Sequence, residues 1–263
     1  MNPRCQIVIP ARLASSRLPE KLLLRAGGKT VLQHTYESAC RAAVPEGVVV
    51  AVDDRRLADE VESFGGRAFM TSPECPSGTD RIAEVAAAMP NVDVFVNVQG
   101  DEPEIDPLAI DHVAAALIHD ASAEMSTAGT PIRSRELLED SSCVKIVMAE
   151  TTSLREGGAG QGRAIYFSRS VVPHVREGIS DEILRAEPPT FWHHLGLYAY
   201  RREFLSWFAS QRPSFLEQIE RLEQLRAIEG GKKIVVVRVD AAAPGIDTRS
   251  DFDAFLARIE RSR

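Results

Sequence analysis

Three short apolar runs, at residues 6–9, 48–52 and 92–98, set the frame for this chain, and each is followed by a turn and then a helical pattern. The run at 48–52, Val-Val-Val-Ala-Val, shows no apolar–polar alternation. A strand of that kind has to be covered on both faces. A shorter strand is expected at 67–70. Helices are expected at 31–43 with Thr30 as N-cap, at 55–64 closed by Gly65-Gly66, at 79–88 with Thr79 as cap, and from Pro107 to about residue 119 with Asp106 as cap. The alternation predicts an α/β fold: a doubly wound, mainly parallel, Rossmann-like sheet with right-handed crossovers.

The second half is less regular. Strands are expected at 125–132, 144–148, 164–167, 195–200 and 234–239, with a helix at 202–210. One amphipathic helix is expected over 215–228, stopped by Gly230-Gly231, and a closing helix capped by Thr248 or Ser250. Residues 156–162 read as a glycine-rich loop between strands, and 172–189 as loop-rich. With no repeat and no linker, the expectation is one α/β domain over residues 1–263, with an inserted lobe at about 125–230.

Composition narrows the function. The net charge of −7 argues against nucleic acid as a partner of the whole surface, so any anion site must be a local cationic pocket. Four cysteines without C-x-x-C spacing read as reduced thiols, not as a disulfide frame or zinc site. No apolar run reaches membrane-spanning length, and the N-terminus has no signal-peptide h-region, so a cytoplasmic protein without membrane partners is expected.

The loop after the first strand concentrates positive charge. Pro10 and Pro19 keep it irregular, and it carries Arg12, Arg17 and Lys21 with no acid before Glu20. A loop there lies where α/β sheets bind ligands. Three converging cations suit a nucleoside triphosphate, each close contact being worth ~4 kcal/mol before desolvation at an effective dielectric near 20. A solvated basic surface loop has the same composition. Asp101, in Gln99-Gly100-Asp101-Glu102-Pro103, sits just past a central strand and is a suitable hard ligand for Mg²⁺. Asp247, in Gly245-Ile246-Asp247, has the same setting, and the two acids could share one ion. Capping or surface roles are open to both. Asp53 and Asp54 are rivals, and Asp53 could bind a ribose hydroxyl. Ser77-Gly78-Thr79 opens a helix whose free N–H groups suit an anion, or is simply a well-capped helix start. Arg169 follows a strand and suits a carboxylate, which guanidinium binds bidentately. His194 and Tyr198, four apart on a strand, share a face. Glu217, Glu220 and Gln224 share a helix face. Glu220 and Glu223 read as solvated acids.

Several motifs fail. Gly28-Lys29-Thr30 mimics a P-loop end, but position 23 is Leu where Gly is required. The glycines at 157–162 contain no G-x-G-x-x-G ahead of a helix, so a nicotinamide cofactor is unsupported. His193 and His194 are adjacent on a strand and face opposite sides, so they cannot chelate one ion.

Taken together, the ordered motifs resemble the 3-deoxy-manno-octulosonate cytidylyltransferases (CMP-Kdo synthetases). They are I-P-A-R-x-x-S-x-R-L-P-x-K at 9–21, S-G-T-D-R at 77–81, V-N-V-Q-G-D-E-P at 96–103, Y-F-S-R at 166–169, H-L-G-L-Y-A-Y at 194–200, L-E-x-x-E-x-L-E-Q-L-R at 216–226 and G-I-D-T at 245–248. The resemblance implies transfer from CTP to Kdo giving CMP-Kdo and pyrophosphate for lipopolysaccharide synthesis. It also implies a nucleotide-diphospho-sugar transferase fold, Mg²⁺ dependence and a homodimer. It implies that Arg12, Lys21, Asp101 and Asp247 are catalytic, with both aspartates on the metal. Pro10, Ala11, Arg12, Arg17, Lys21, Ser77, Gly78 and Thr79 would bind the nucleotide. Gln99, Arg169, His194, Tyr198, Glu217 and Gln224 would bind the sugar acid. Four positions depart from the family pattern: Glu20 for Gly, Leu22 for Pro, His193 for Arg and Phe215 for Pro. A cytidylyltransferase for a sialic acid or amino-substituted Kdo, or a non-catalytic sugar-nucleotide sensor, are the alternatives.

Overall fold

A computed structural model describes residues 3–152, 160–240 and 244–261. In chain order the elements begin with β1 (Cys5–Ala11), a single 3₁₀ turn (Lys21–Leu23), β2 (Arg25–Ala26), β3 (Lys29–Thr30), α1 (Val31–Ala39), β4 (Val48–Val52), α2 (Arg55–Ser63), β5 (Ala68–Met70) and α3 (Gly78–Ala88). They continue with β6 (Val94–Asn97), α4 (Pro107–His119), β7 (Met125–Pro131), α5 (Arg135–Glu139), β8 (Lys145–Thr152), β9 (Gln161–Ser168) and α6 (Asp181–Arg185). The chain closes with β10 (Trp192–Arg201), α7 (Arg202–Ser210), α8 (Phe215–Glu220), α9 (Gln224–Glu229), β11 (Ile234–Arg238) and α10 (Arg249–Arg261).

Nine strands form one sheet in the order β5-β4-β1-β6-β10-β7-β11-β9-β8. Successive residues of the first strands feed opposite layers, as a period of two requires. Ile7, Ile9, Val50, Val52, Val94 and Val96 pack in the layer that holds α1, α2, α4 and α10. Val8, Val49, Ala51 and Phe95 pack on the other face with Ile82 and Val85 of α3, Phe204 and Phe208 of α7 and Leu225 of α9. The unalternating run at 48–52 is therefore fully buried because both faces are covered.

The doubly wound α/β architecture is as expected, but the sheet is mixed. From β5 to β6 every pair is parallel. β10 then runs antiparallel to both β6 and β7, and β9 runs antiparallel to β11 and β8. Residues 125–131 and 192–201 are central strands of the common sheet, so the segment 125–230 builds part of that sheet. A separate small core, Ile132, Leu138, Cys143, Leu184 and Phe191, lies between β7 and β10 in the chain.

Several boundaries differ from the sequence reading. Pro10 lies inside β1, opposite Ala51 of β4. The ladder to β6 ends at Val8, so the missing N–H of Pro10 breaks no bond on that side. Ser77, not Thr79, caps α3 by accepting from Asp80 N at 3.1 Å. Residues 215–228 form two short helices, because Arg221 turns left-handed at φ 56°. Gln161 and Gly162 lie in β9, while 153–159 fall outside the described residues. The 172–189 segment contains α6. Thr248 caps α10, accepting from Asp251 N at 3.3 Å.

Candidate active site

From β1 the chain moves outward to β4 and β5, then crosses back to β6 on the other side of β1. The carboxyl ends of β1 and β6 therefore flank a topological switch point, the position where open α/β sheets bind ligands. Two loops meet there. One, residues 12–20, follows β1; the other, Gln99 to Asp101, follows β6. Gly100 makes the meeting possible, because a Cβ at that position would lie 3.2 Å from the Pro10 carbonyl. Thr35 Oγ1 donates to the Gly100 carbonyl at 3.0 Å and holds the turn from the core side.

Asp101 and Asp247 are far apart in sequence, but one backbone bond joins their loops, from Ile246 N to the Asp101 carbonyl at 2.8 Å. Asp251 fixes the second loop by accepting from Asp247 N at 3.1 Å and Thr248 N at 2.7 Å. Both carboxylates then converge on one atom. Lys21 Nζ donates to Asp101 Oδ2 and, at 2.9 Å, to Asp247 Oδ1. Arg17 Nη2 donates to the same Asp247 oxygen at 2.8 Å. Burial works against the Lys21 ammonium, but Asp101 and Asp247 outweigh it and its pKa is raised. Glu102 is pushed up to about 8, first by burial and then by Asp101. It therefore adds little further negative charge beside the aspartates at neutral pH.

Arg12, Ser15, Arg17, Lys21, Asp101 and Asp247 all border a cavity of about 200 Å³. Pro10 borders it too, whereas Ala11 is fully buried in the core and does not line it. Glu20 does not compete with an anion in this cavity. Its carboxylate is held by Arg56 at 2.6 and 2.9 Å, which also pins the left-handed backbone (φ 50°) at a position where the family pattern has Gly. Asp53 is likewise engaged, accepting from Leu13 N at 2.9 Å and Arg81 Nη2 at 3.3 Å. It anchors the cationic loop, and the ribose reading for it falls away.

Gln99 also borders a second cavity, of about 370 Å³, lined by Gly78, Thr79, His194, Tyr198, Glu223 and Gln224 among others. A polar chain runs along its wall. Tyr198 Oη reaches Gln224 Oε1 at 3.5 Å, and Gln224 Nε2 lies 3.4 Å from His194 Nδ1. His194 Nε2 lies 3.1 Å from Thr127 Oγ1, which donates to the Leu197 carbonyl at 2.8 Å. This donor order assigns the neutral Nε2–H tautomer. Burial, and secondarily His193, lowers the His194 pKa to about 3, so the ring stays neutral in ordinary buffers. The arrangement pairs a cationic, carboxylate-floored pocket with an adjoining hydrogen-bonding one. Chemically it can hold a polyanion in the first and a hydroxyl-rich molecule in the second. Among the described residues no cluster of three or more His, Cys, Asp or Glu could hold a metal ion. Two convergent carboxylates fit an ion such as Mg²⁺, which takes its remaining ligands from phosphates and water.

Comparison with known proteins decides the family. The cytidylyltransferase family profile matches residues 6–234. A 3-deoxy-manno-octulosonate cytidylyltransferase of Rhodopirellula baltica is 61% identical over 98% of this chain and 99% of that one. The chain belongs to the 3-deoxy-manno-octulosonate cytidylyltransferase family. A second member, from Geotalea daltonii, is 43% identical over 96% of this chain and 97% of its own. The solved structure of CMP:2-keto-3-deoxy-manno-octonic acid synthetase complexed with CTP superimposes with a TM-score of 0.86 at 37% identity, covering 99% of this chain and all of that one. A 4-diphosphocytidyl-2C-methyl-D-erythritol synthase of Anaerococcus prevotii, 13% identical with a TM-score of 0.61, shares the fold alone.

For a cytidylyltransferase, two expected sugar contacts lie elsewhere. Arg169 does not border the larger cavity: its guanidinium donates to the Glu220 carbonyl at 2.8 Å and the Ser141 carbonyl at 3.1 Å. Glu217 is buried against Arg226, with contacts of 2.8 and 2.5 Å, and also accepts from Ser214 N at 2.9 Å. Glu217 is a structural ion pair in this arrangement because the helix break at Arg221 puts its face inside. Glu217→Ala should therefore destabilise the fold by about 3–5 kcal/mol, since it strands a buried guanidinium. Thermal melts should show the loss, while the KM for the sugar acid in the folded fraction stays near wild type.

Two acids read as solvated prove to be engaged. Glu220 accepts from Ser168 Oγ at 2.6 Å and Arg169 N at 3.0 Å. Glu223 accepts from Thr79 Oγ1 at 2.8 Å and borders the larger cavity. The sequence signal for Glu223 is its place directly before Gln224. A single-helix register hides it.

Proposed function

We propose that this protein transfers the cytidylyl group of CTP to the anomeric hydroxyl of 3-deoxy-manno-octulosonate, giving CMP-Kdo and pyrophosphate for lipopolysaccharide synthesis. The observation that carries the reading is the meeting of Asp101, Asp247 and Lys21 in a cation-lined cavity that shares Gln99 with a second cavity of small-molecule size, lined by both apolar and hydrogen-bonding side chains. Family membership supplies the substrates.

In this reading Arg12, Arg17 and Lys21 hold the triphosphate and stabilise charge developing on the departing pyrophosphate. Pro10 floors the nucleotide site, and Gly78 and Thr79 border the nucleoside at the start of a helix that Ser77 caps. Gln99, His194, Tyr198, Gln224 and Glu223 orient the sugar acid. Asp101 and Asp247 would hold Mg²⁺, which when bound screens the repulsion between two anionic substrates and acidifies the attacking hydroxyl. The remaining contribution is positional: two molecules held side by side react as if at very high local concentration. No covalent enzyme intermediate is needed.

Segment 125–230 supplies the sugar-binding wall and, we infer, the surface of a homodimer. Phe215 and Ile219, four residues apart on α8, are 71% and 67% exposed, an unusual pair for a solvated helix face. Phe215→Glu with Ile219→Glu should convert a dimer to a monomer in light scattering behind gel filtration. An unchanged mass would remove α8 from the interface. The four free cysteines agree with a reducing, cytoplasmic setting. Among the described residues no helix is long and apolar enough to cross a membrane.

Pyrophosphate release, measured across CTP and UTP with Kdo, amino-substituted Kdo and a sialic acid, tests the substrate assignment. The expected result is a strong preference for CTP with Kdo. Preference for another sugar acid would reassign the second substrate, and CTP binding with no release in any pairing would indicate a sensor.

A further inference from the structure

Lys21 does more in this arrangement than line a phosphate pocket. Its ammonium occupies the point on which both candidate metal ligands converge, bonded to Asp101 and, at 2.9 Å, to Asp247 Oδ1. Arg17 takes the same Asp247 oxygen at 2.8 Å. The backbones that carry the two aspartates are held close together. The Asp101 carbonyl is tied to Ile246 N, and Asp247 N to Asp251. A divalent cation seated on these oxygens has to compete with the ammonium for the same acceptors, and an ammonium and a dication side by side repel.

We propose that Lys21 is an exchangeable counter-ion, coupling occupation of the metal site to arrival of the triphosphate. This rests on the reading above, in which Asp101 and Asp247 hold the ion. While Lys21 and Arg17 bond to the carboxylates, the affinity for a divalent cation is weak. A triphosphate in the adjoining cavity offers both cations stronger anionic partners. They move onto it, and the freed carboxylates take the ion at the moment a phosphate oxygen is present to complete its coordination. The surroundings fit an exchange. The Lys21 side chain is 15% exposed, but those of Asp247 and Arg17 are 42% and 66% exposed, so the pairs on Asp247 face solvent and are not sealed in the core. By linkage, whatever the triphosphate gains in metal affinity the metal returns in triphosphate affinity.

The test is Mn²⁺ binding to the free protein, read by electron paramagnetic resonance without nucleotide. Lys21→Met keeps the side-chain stem and removes the charge. It should bind Mn²⁺ at least tenfold more tightly than wild type, a shift of about 1.4 kcal/mol. Adding Asp101→Asn to that variant should abolish the gain. Lys21→Arg, which keeps the charge, should stay near the wild-type affinity, and circular dichroism checks that each variant is folded. Equal or weaker Mn²⁺ affinity in Lys21→Met, with binding still sensitive to Asp101→Asn, overturns the exchange and leaves the metal assignment standing. Absence of any Asp101-dependent Mn²⁺ binding in both wild type and Lys21→Met overturns the exchange and the metal assignment together.

Discussion

Asp101→Asn is expected to lower kcat by at least about 10²–10³-fold, the cost typical of removing one preorganised electrostatic group at a reacting centre. Asparagine matches aspartate in shape, so the turn after β6 should survive. Gly100 and the bonds from Thr35 and Ile246 hold that turn through backbone carbonyls that the substitution leaves in place. The melting temperature should fall only modestly, since the Lys21 ammonium keeps Asp247 at 2.9 Å as an anionic partner when Asp101 is neutralised. The informative control is the midpoint for Mg²⁺ activation, which should rise. A variant with near-normal turnover would remove Asp101 from the mechanism.

Lys21→Ala is the second large effect. The residue faces both carboxylates and borders the cation-lined cavity, so on the proposed reading truncation removes a phosphate ligand and leaves two acids beside an incoming triphosphate. Turnover should fall about 10²–10³-fold. The KM for CTP should rise, while the KM for the sugar acid changes little. Loss confined to the sugar-acid KM would place Lys21 in the wrong pocket. Steady-state kinetics with each substrate varied in turn separates the two outcomes.

How far these assignments could be read from sequence depends on the range of the interactions involved. β4 matched residue for residue, because an unbroken apolar run is buried whatever surrounds it. The start of α4 was equally plain, since an Asp cap and a Pro at the first turn are local signals. The pairing of Asp101 with Asp247 was visible only as two similar settings. What joins them is the bond from Ile246 N to the Asp101 carbonyl, a tertiary contact no local pattern encodes. The antiparallel β10 between β6 and β7 was hidden for the same reason: burial pattern reports that a strand is central, not which way it runs.

The helix at 215–228 failed differently. Arg221 adopts a left-handed conformation with no glycine or asparagine to announce it. That one residue breaks the register, sends Glu217 to Arg226 and brings Glu223 to the cavity wall. A reading based on one continuous face thus singled out Gln224 and passed over Glu223, although both line the larger cavity. Glu20 shows the converse. A carboxylate in the cationic loop looked disruptive in sequence, but Arg56, on the neighbouring α2, neutralises it.

In the proposed reaction a cation-lined pocket floored by two aspartates joins a sugar acid to a cytidylyl group. The most direct measurement is mass spectrometry of the products after mixing wild-type protein with CTP, Kdo and Mg²⁺, with an EDTA-treated sample and Asp101→Asn in parallel. The expected result is CMP-Kdo in equal amount to pyrophosphate in the wild-type reaction, neither product above background in the EDTA-treated sample, and product formed at least about a hundredfold more slowly by Asp101→Asn. CTP left intact in the complete reaction, or CMP-Kdo formed equally well in all three, would contradict it.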